Sequence, residues 1–188
     1  MAALDPAPFF MGGYAEDALL AGGVTRPHED LDWVLPRAEL PVRLAQANEL
    51  GFSGFETWGE SAPGEPFYLF AQNGDLRLDL GVSDGTKTRP LMKVHRLVFE
   101  VDGREAPAGY PVRLPSDMYS YPPVEIEGIT IRTISPLALY QIRLGIAQQG
   151  SFGPLSERQL SSMRQLRERF FSHHPERELD PGVEPMVG

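Results

Sequence analysis

The chain has 188 residues, of which 41% are hydrophobic, enough for one packed domain or for one domain with a helical appendage. The absence of cysteine excludes a disulfide scaffold, a thiolate metal site and a cysteine nucleophile, and the lack of a secretory signal or a bilayer-length apolar run predicts a cytoplasmic protein with no membrane partner. A net charge of −9 argues against a broad nucleic-acid footprint, which needs a basic stripe; it suits a cationic small molecule, or it serves solubility alone.

Two helices and a strand are predicted in the first fifty residues. Residues 14–21 carry apolar side chains at helical spacing and precede Gly22-Gly23, a glycine stop. A strand is predicted over 32–35, and Pro36 precedes a second helix over 38–50. The predicted apolar stripe of this second helix consists of Leu40, Val42, Leu44, Ala45 and Leu50.

Strands and hairpins dominate the middle of the chain, and helices return near its end. Strands are predicted over 52–58, 67–71, 76–82, 95–101 and 106–111, with turns at Asn73-Gly74, Asp102-Gly103 and, further on, Glu127-Gly128. A proline- and tyrosine-rich segment over 112–123 is predicted to be a loop over the site. Two helices follow, over 136–148 and 156–171.

This order of elements predicts an α/β or α+β fold in which helices flank a mostly mixed sheet. The predicted units are a core over 1–134, a small helical part over 135–173 and an acidic, proline-rich tail over 174–188.

Asp30 and Asp32 form the first candidate site. Successive side chains of a strand point to opposite faces, so these two carboxylates share one face while Leu31 and Trp33 share the other. Two carboxylates ~5 Å apart repel by roughly 3 kcal/mol at an effective dielectric constant near 20. A divalent cation with oxygen ligands would turn that repulsion into a binding site, so the pair predicts metal-assisted phosphoryl chemistry.

Asp79 is the second candidate, in the strand Leu76-Arg77-Leu78-Asp79-Leu80. Alternation places it on the face opposite Leu78 and Leu80. An acid inside such an apolar strand needs a partner. That partner is either a metal shared with the Asp30–Asp32 pair or, for an aspartate on an edge strand, Arg77 or a neighbouring arginine.

Gly12 and Gly13 directly precede the first predicted helix. A glycine turn at that point exposes backbone N–H groups at the helix N-terminus, where unsatisfied donors and the helix dipole attract phosphate. The alternative is a plain loop-to-helix turn.

The residues G-G-Y-A-x-D-A-L-L and, further on, T-R-x-H-E-D-L-D occur in that order between Gly12 and Asp32. This combination resembles the start of the aminoglycoside and lincosamide nucleotidyltransferases of the DNA-polymerase-β-like superfamily, with Tyr14 where members often have tryptophan. The resemblance implies a nucleotidyltransferase core with a helical C-terminal part. It also makes Asp17 a structural hydrogen-bond acceptor. His28 lies in the turn and could either orient a carboxylate or stabilise the turn itself. Arg26 could either pair with the acids or contact a phosphate.

The resemblance implies an enzyme that uses Mg²⁺ and a nucleoside triphosphate such as ATP. It would move a nucleoside monophosphate to a hydroxyl of a small acceptor. Asp30 and Asp32 would hold the metal, and Asp79 would share it or act as the general base. Gly12 and Gly13 would hold phosphate oxygens.

One departure from the family is visible near the end of the chain. Where members often have a Pro-Lys-Asp-x-x-Asp run, this chain has Ser156 in place of the lysine and Leu160 in place of the last aspartate. The departure motivates an alternative, a nucleotide-binding module of the same fold without transfer activity. A glycosyltransferase that uses D-x-D for a sugar nucleotide fits poorly, because it leaves the glycines and Asp79 unexplained.

Overall fold

The computed structural model describes residues 7–86, 89–99, 105–149 and 155–173. Their secondary structure is mixed, with helices before, between and after the strands. The elements are β1 (Phe9–Phe10), α1 (Gly12–Leu20), β2 (Asp30–Pro36), a 3-10 turn (Arg37–Glu39), α2 (Leu40–Glu49), β3 (Ser53–Thr57), β4 (Glu60–Ala62), β5 (Glu65–Pro66), β6 (Tyr68–Asn73), β7 (Leu76–Thr86), β8 (Arg89–Phe99), β9 (Glu105–Arg113), β10 (Val124–Ile126), β11 (Ile129–Thr133), α3 (Pro136–Gln149) and α4 (Glu157–Phe170).

Nine of the described strands form one mixed sheet, which confirms the predicted fold class. Its order is β10-β11-β1-β2-β7-β6-β3, and the far end of β7 also pairs with β8, which pairs with β9. Strands β2 and β7 are parallel neighbours, whereas β6 and β8 run antiparallel to β7. Strands β4 and β5 form a separate small pair. The two strands that carry the candidate acids therefore lie side by side at the centre of the sheet.

Alternation along β2 divides the protein into two cores, one on each face of the sheet. Trp33 and Leu35 pack with Leu78 and Leu80 of β7 and with residues of α2. Val34, on the other face, packs in the core that contains residues of α1, α3 and α4. Because Asp30 and Asp32 share the face of Val34, their carboxylates point toward α1 and α3 rather than toward α2.

Two helices differ from their predicted form. Helix α1 begins at Gly12, so the two glycines lie within its first turn instead of before it. In α2 the buried face contains Arg43, Gln46 and Ala47, whereas Val42 is 42% exposed. Arg43 is fully buried because its guanidinium donates to the Gln46 side chain and to Glu39. A hydrophobic stripe could not reveal a buried arginine, since side-chain partners rather than hydrophobicity hold it there.

The segment predicted as a loop, 112–123, begins with the last two residues of β9 and is otherwise without helix or strand. Strand β9 continues to Arg113, and the turns after it place Met118 and Tyr119 in the core. The Tyr119 hydroxyl is hydrogen-bonded to Ser83 of β7 at 2.6 Å. Tyr119 therefore fastens β7 from the helical side of the sheet, and a position of this segment over the site stays a prediction.

The hairpin around Glu127-Gly128 and helices α3 and α4 are present as predicted, and β1, β4 and β5 are additional. The turn at Asp102-Gly103 and the tail over 174–188 lie outside the described residues. No helix in the described parts of the chain has both the length and the apolar character needed to cross a bilayer.

Candidate metal centre

Three carboxylates converge at the centre of the sheet. The parallel register sets Asp32 opposite Asp79 and Asp30 opposite Arg77. One carboxylate oxygen from each of Asp30, Asp32 and Asp79 lies within 4.8 Å of the other two. Carboxylate oxygens are the hard ligands that Mg²⁺ prefers, so the donor set fits this ion. The convergence in space is the one that strand alternation predicted, and metal ligation by these residues stays a prediction.

Burial and close approach disfavour the charged forms of Asp32 and Asp79. Burial, together with the neighbouring carboxylates of Asp30 and Asp79, raises the pKa of Asp32 to about 7. Burial also raises the pKa of Asp79, although its hydrogen bonds from Arg77 and Tyr68 oppose that rise. Such shifts mark a place where positive charge is favourable.

Arg77 and Tyr68 hold Asp79 in place. The Arg77 Nε donates to Asp79 Oδ1 at 2.6 Å, and its Nη2 donates to Asp79 Oδ2 at 2.9 Å. The same Nη2 lies 3.1 Å from Asp30 Oδ2, and the Tyr68 hydroxyl donates to Asp79 Oδ2 at 3.1 Å. The arginine partner considered for Asp79 is therefore present. The edge-strand location considered with it is wrong, since β7 lies between β2 and β6.

Gly12 lets helix α1 begin directly against Asp32. A Cβ at Gly12 would stand 1.9 Å from Asp32 Oδ2, and the residue has a φ of +63°, which favours glycine. The Met11 N–H donates to the Asp32 carbonyl at 2.9 Å, and the Met11 side chain does not cap the helix. The positive end of α1 therefore faces the acids. Binding of phosphate by the N–H groups of Gly12 and Gly13 stays a prediction.

A hydrogen-bond cluster around Asp17 fixes the turn that leads into β2. Asp17 accepts from the backbone N–H and the hydroxyl of Thr25, at 2.9 and 2.6 Å, and its carboxylate lies 2.8 Å from His28 Nε2. His28 thus orients Asp17 and not the acidic pair, while its ring packs on Tyr14. Arg26 donates to the Pro27 carbonyl, and its Nη2 lies 2.8 Å from where a Cβ on Gly13 would stand. Contact of Arg26 with a phosphate stays a prediction. Asp17 is the structural acceptor that the resemblance implied.

Arg143 of α3 is a residue near the site that sequence reasoning missed. Its guanidinium binds Glu16 of α1, with Nε at 2.9 Å and Nη2 at 2.7 Å from Oε1. Its positive charge also acts on Asp32, whose pKa it lowers against the larger effects that raise it. The sequence does contain one feature that could have drawn attention to it: Arg143 is the one charged residue in the helix PLALYQIRLGIAQQ.

The residues that depart from the family pattern lie at the start of α4. Ser156 is the N-cap of α4 and forms a reciprocal capping box with Gln159. Leu160 is exposed on the surface of the same helix. Neither residue supplies a charge toward the acids.

Comparison with known proteins identifies the fold. No protein-family model and no curated protein sequence matches the chain. Two solved structures of the antibiotic-resistance factor ANT(2'')-Ia are similar to it. The solution structure is 21% identical and has a TM-score of 0.58 over 86% of this chain and 74% of its own. The crystal structure with adenylyl-2''-tobramycin is 20% identical and has a TM-score of 0.58 over 92% and 82%. The chain thus has a nucleotidyltransferase-like fold.

Replacing Gly12 with alanine should displace the Asp32 carboxylate and destabilise the protein. The matched control is Gly22→Ala, because Gly22 has a similar φ of +72° but nothing within 4 Å of an added Cβ. Urea unfolding should show a loss of roughly 1 kcal/mol for the control, from backbone strain alone, and a distinctly larger loss for Gly12→Ala. Equal losses would mean that the close approach to Asp32 has no energetic consequence.

The pH dependence of stability should report Asp32 in chelator-treated protein. Its pKa rises from 3.8 when unfolded to about 7 when folded, so the stability it contributes is complete below about pH 4 and is lost as the pH rises through about 7. Asp32→Asn cannot ionise, so its stability relative to wild type should rise as the pH increases from about 4 to about 7 and stay constant above that. Urea unfolding across this range measures the difference. Asp75→Asn, at an exposed turn, should follow wild type; parallel curves for Asp32→Asn would refute the shift.

Proposed function

We propose that this protein is a metal-dependent nucleotidyltransferase that moves a nucleoside monophosphate from a nucleoside triphosphate to a hydroxyl of a small acceptor. The observation that carries the proposal is the convergence of three carboxylates on two adjacent parallel strands, against the start of a helix, within a nucleotidyltransferase-like fold. Fold alone would not be sufficient, since one fold hosts many functions. The three carboxylates, as ligands for a divalent ion, are the feature that points to metal-assisted phosphoryl transfer.

All three acids would be ligands of the metal ion. Asp30 and Asp32 would hold Mg²⁺, and Asp79, beside Asp32 in the register, would share it. When bound, the ion supplies charge neutralisation on the phosphate oxygens. Gly12 packs against the Asp32 carboxylate so closely that a side chain at position 12 would collide with it, and this contact limits where the carboxylate can lie.

Two further groups support triphosphate binding at the same place. The first-turn N–H groups of α1, at Gly12 and Gly13, have no side-chain cap and point where the helix dipole favours an anion. Arg143, held by Glu16, adds a positive charge near Asp32. This arginine comes from α3, so it offers a charge that Ser156 and Leu160 of α4 do not.

Asp79 would also take the proton of the acceptor hydroxyl. The hydroxyl oxygen would form a bond to the α-phosphorus as the bond from that phosphorus to the β-phosphate oxygen breaks, and pyrophosphate would leave. The net charge of −9 suits a cationic acceptor, and the adenylyl-2''-tobramycin bound by ANT(2'')-Ia supports a small hydroxyl-bearing one. ATP is the donor that an adenylyl product implies.

A nucleotide-binding module without transfer activity is the second candidate. The observation that favours it is the arginine on Asp79, which occupies both oxygens of the proposed general base. Binding without release of pyrophosphate, with every acceptor tried, would favour this candidate over the first.

Metal and triphosphate should bind together and depend on Asp32. A thermal-shift titration with ATP and Mg²⁺ should raise the melting temperature of wild type, and saturation near 100-fold over Kd adds about 2.7 kcal/mol of apparent stability. Asp32→Asn should abolish the rise because it removes a metal ligand. Asp75→Asn, which removes one exposed acid elsewhere, should preserve it. An unchanged rise in Asp32→Asn would refute the metal role of the pair.

Asp79 should matter more for turnover than for binding of the triphosphate. Asp79→Asn should still give a thermal shift with ATP and Mg²⁺, because Asp30 and Asp32 remain to hold the ion, yet lose transfer by about 10²- to 10⁴-fold, the usual effect of losing a general base. Pyrophosphate release with an aminoglycoside panel as acceptors measures turnover. Tyr68→Phe serves as the control, since it removes only one hydrogen bond to Asp79. Near-normal transfer by Asp79→Asn would place the base elsewhere.

A further inference from the structure

Arg77 occupies the position beside the acids where a cation is needed. It lies two residues before Asp79 on β7, on the same face, and opposite Asp30 in the parallel register. Its guanidinium donates to both oxygens of Asp79 and to Oδ2 of Asp30. One side chain thus bridges two of the three converging carboxylates, in the fork geometry that suits arginine.

The two sides of this bridge differ in how firmly they are held. The side chain of Asp79 is 6% exposed and is also bonded to Tyr68. The side chain of Arg77 is 44% exposed, and its guanidinium lies 5.3 Å from the centre of the Phe70 ring, a cation–π distance. Asp79 is therefore the fixed partner, whereas Arg77 has an open path to solvent and the side chain of Asp30 is 34% exposed.

We propose that Arg77 is a built-in counter-cation that neutralises Asp30 and Asp79 in the metal-free protein and competes with the metal for their oxygens. The inference rests on the proposed function, which makes these carboxylates metal ligands. A divalent ion about 2.1 Å from an oxygen of Asp30 or Asp79 would lie close to a guanidinium bonded to the same oxygens. The two cations repel, so metal binding releases Arg77 from at least one of its bridges.

This exchange gives Arg77 two effects of opposite sign. It stabilises the metal-free fold, because it offsets the repulsion among the carboxylates. It weakens metal binding, because the ion has to displace it first. Arg77 is therefore a positioning residue that sets metal affinity, and Asp79 is free to act as a ligand or base only after the exchange.

Manganese binding without nucleotide tests the proposal. The dissociation constant for Mn²⁺ is measured by electron paramagnetic resonance for wild type, Arg77→Met, Arg77→Lys and Arg169→Met. Arg169 is the matched control, because it also lies over a phenylalanine ring, Phe170, but on α4 and away from the acids. Arg77→Met should bind Mn²⁺ roughly tenfold more tightly or better, Arg77→Lys by an intermediate factor, and Arg169→Met as wild type does.

Thermal unfolding provides the second readout. In chelator, Arg77→Met should melt below wild type, and saturating Mn²⁺ should remove most of that difference. An arginine with a merely structural role would leave the same deficit with and without the ion. If Arg77→Met fails to fold, Arg77→Lys gives the same two comparisons, because lysine keeps the charge but loses the two-pronged contact.

The outcomes separate this proposal from the proposed function. Equal or weaker Mn²⁺ binding by Arg77→Met, with wild type binding normally, overturns the role of Arg77 and leaves the metal site intact. Equal tightening by Arg77→Met and Arg169→Met also overturns it, since net charge alone would then explain the change. No Mn²⁺ binding by wild type or by any variant overturns the metal role of the acids and this inference together.

Discussion

Mutual repulsion among Asp30, Asp32 and Asp79 is the constraint on which the arrangement of this protein depends. Three carboxylates with oxygens within 4.8 Å of one another, all on two adjacent strands at the centre of a sheet, need positive charge nearby. The fold provides it from three directions: the start of α1, Arg143 from α3, and Arg77 from β7 itself. Each source belongs to a different element, so the acids interact with α1, α3 and β7 at once.

The parallel pairing of β2 with β7 is what makes the cluster possible. In that register Asp32 lies opposite Asp79, and apolar neighbours on the opposite face bury Trp33 and Leu80 in the second core. A shift by one residue would turn the acids into that core and the apolar side chains toward α1. Burial of the apolar face therefore holds the register, and the register places the acids. The repulsion is maintained by hydrophobic packing on the other side of the sheet.

Under the proposed exchange, the pairing of Asp79 with Arg77 and the metal role of Asp79 belong to different states of the site. An arginine at 2.6 Å is a strong partner, yet its side chain is 44% exposed while that of the acid is buried. The similarity to ANT(2'')-Ia is one of fold, at 20 to 21% identity, and it leaves such local features to this chain. The site residues, more than the fold, determine which chemistry the protein can perform.

The sequence by itself determined which residues could meet and on which side. Alternation along two strands was enough to place Asp30, Asp32 and Asp79 on faces that could come together, and turn residues and helical spacing predicted most of the elements. It did not reveal that α1 begins at Gly12, because the backbone there is set by close approach to Asp32, a residue twenty positions away.

Only the tertiary structure decided the neighbours that hold the site. Arg143 binds Glu16 near the acids because α3 packs on the same core as α1. Arg43 is buried in α2 because its partners are side chains, which a hydrophobic pattern does not reveal. Local periodicity reports the direction of a side chain along its own element. Which charged group a side chain contacts depends on how separate elements pack together. That packing is determined by contacts between residues far apart in the chain.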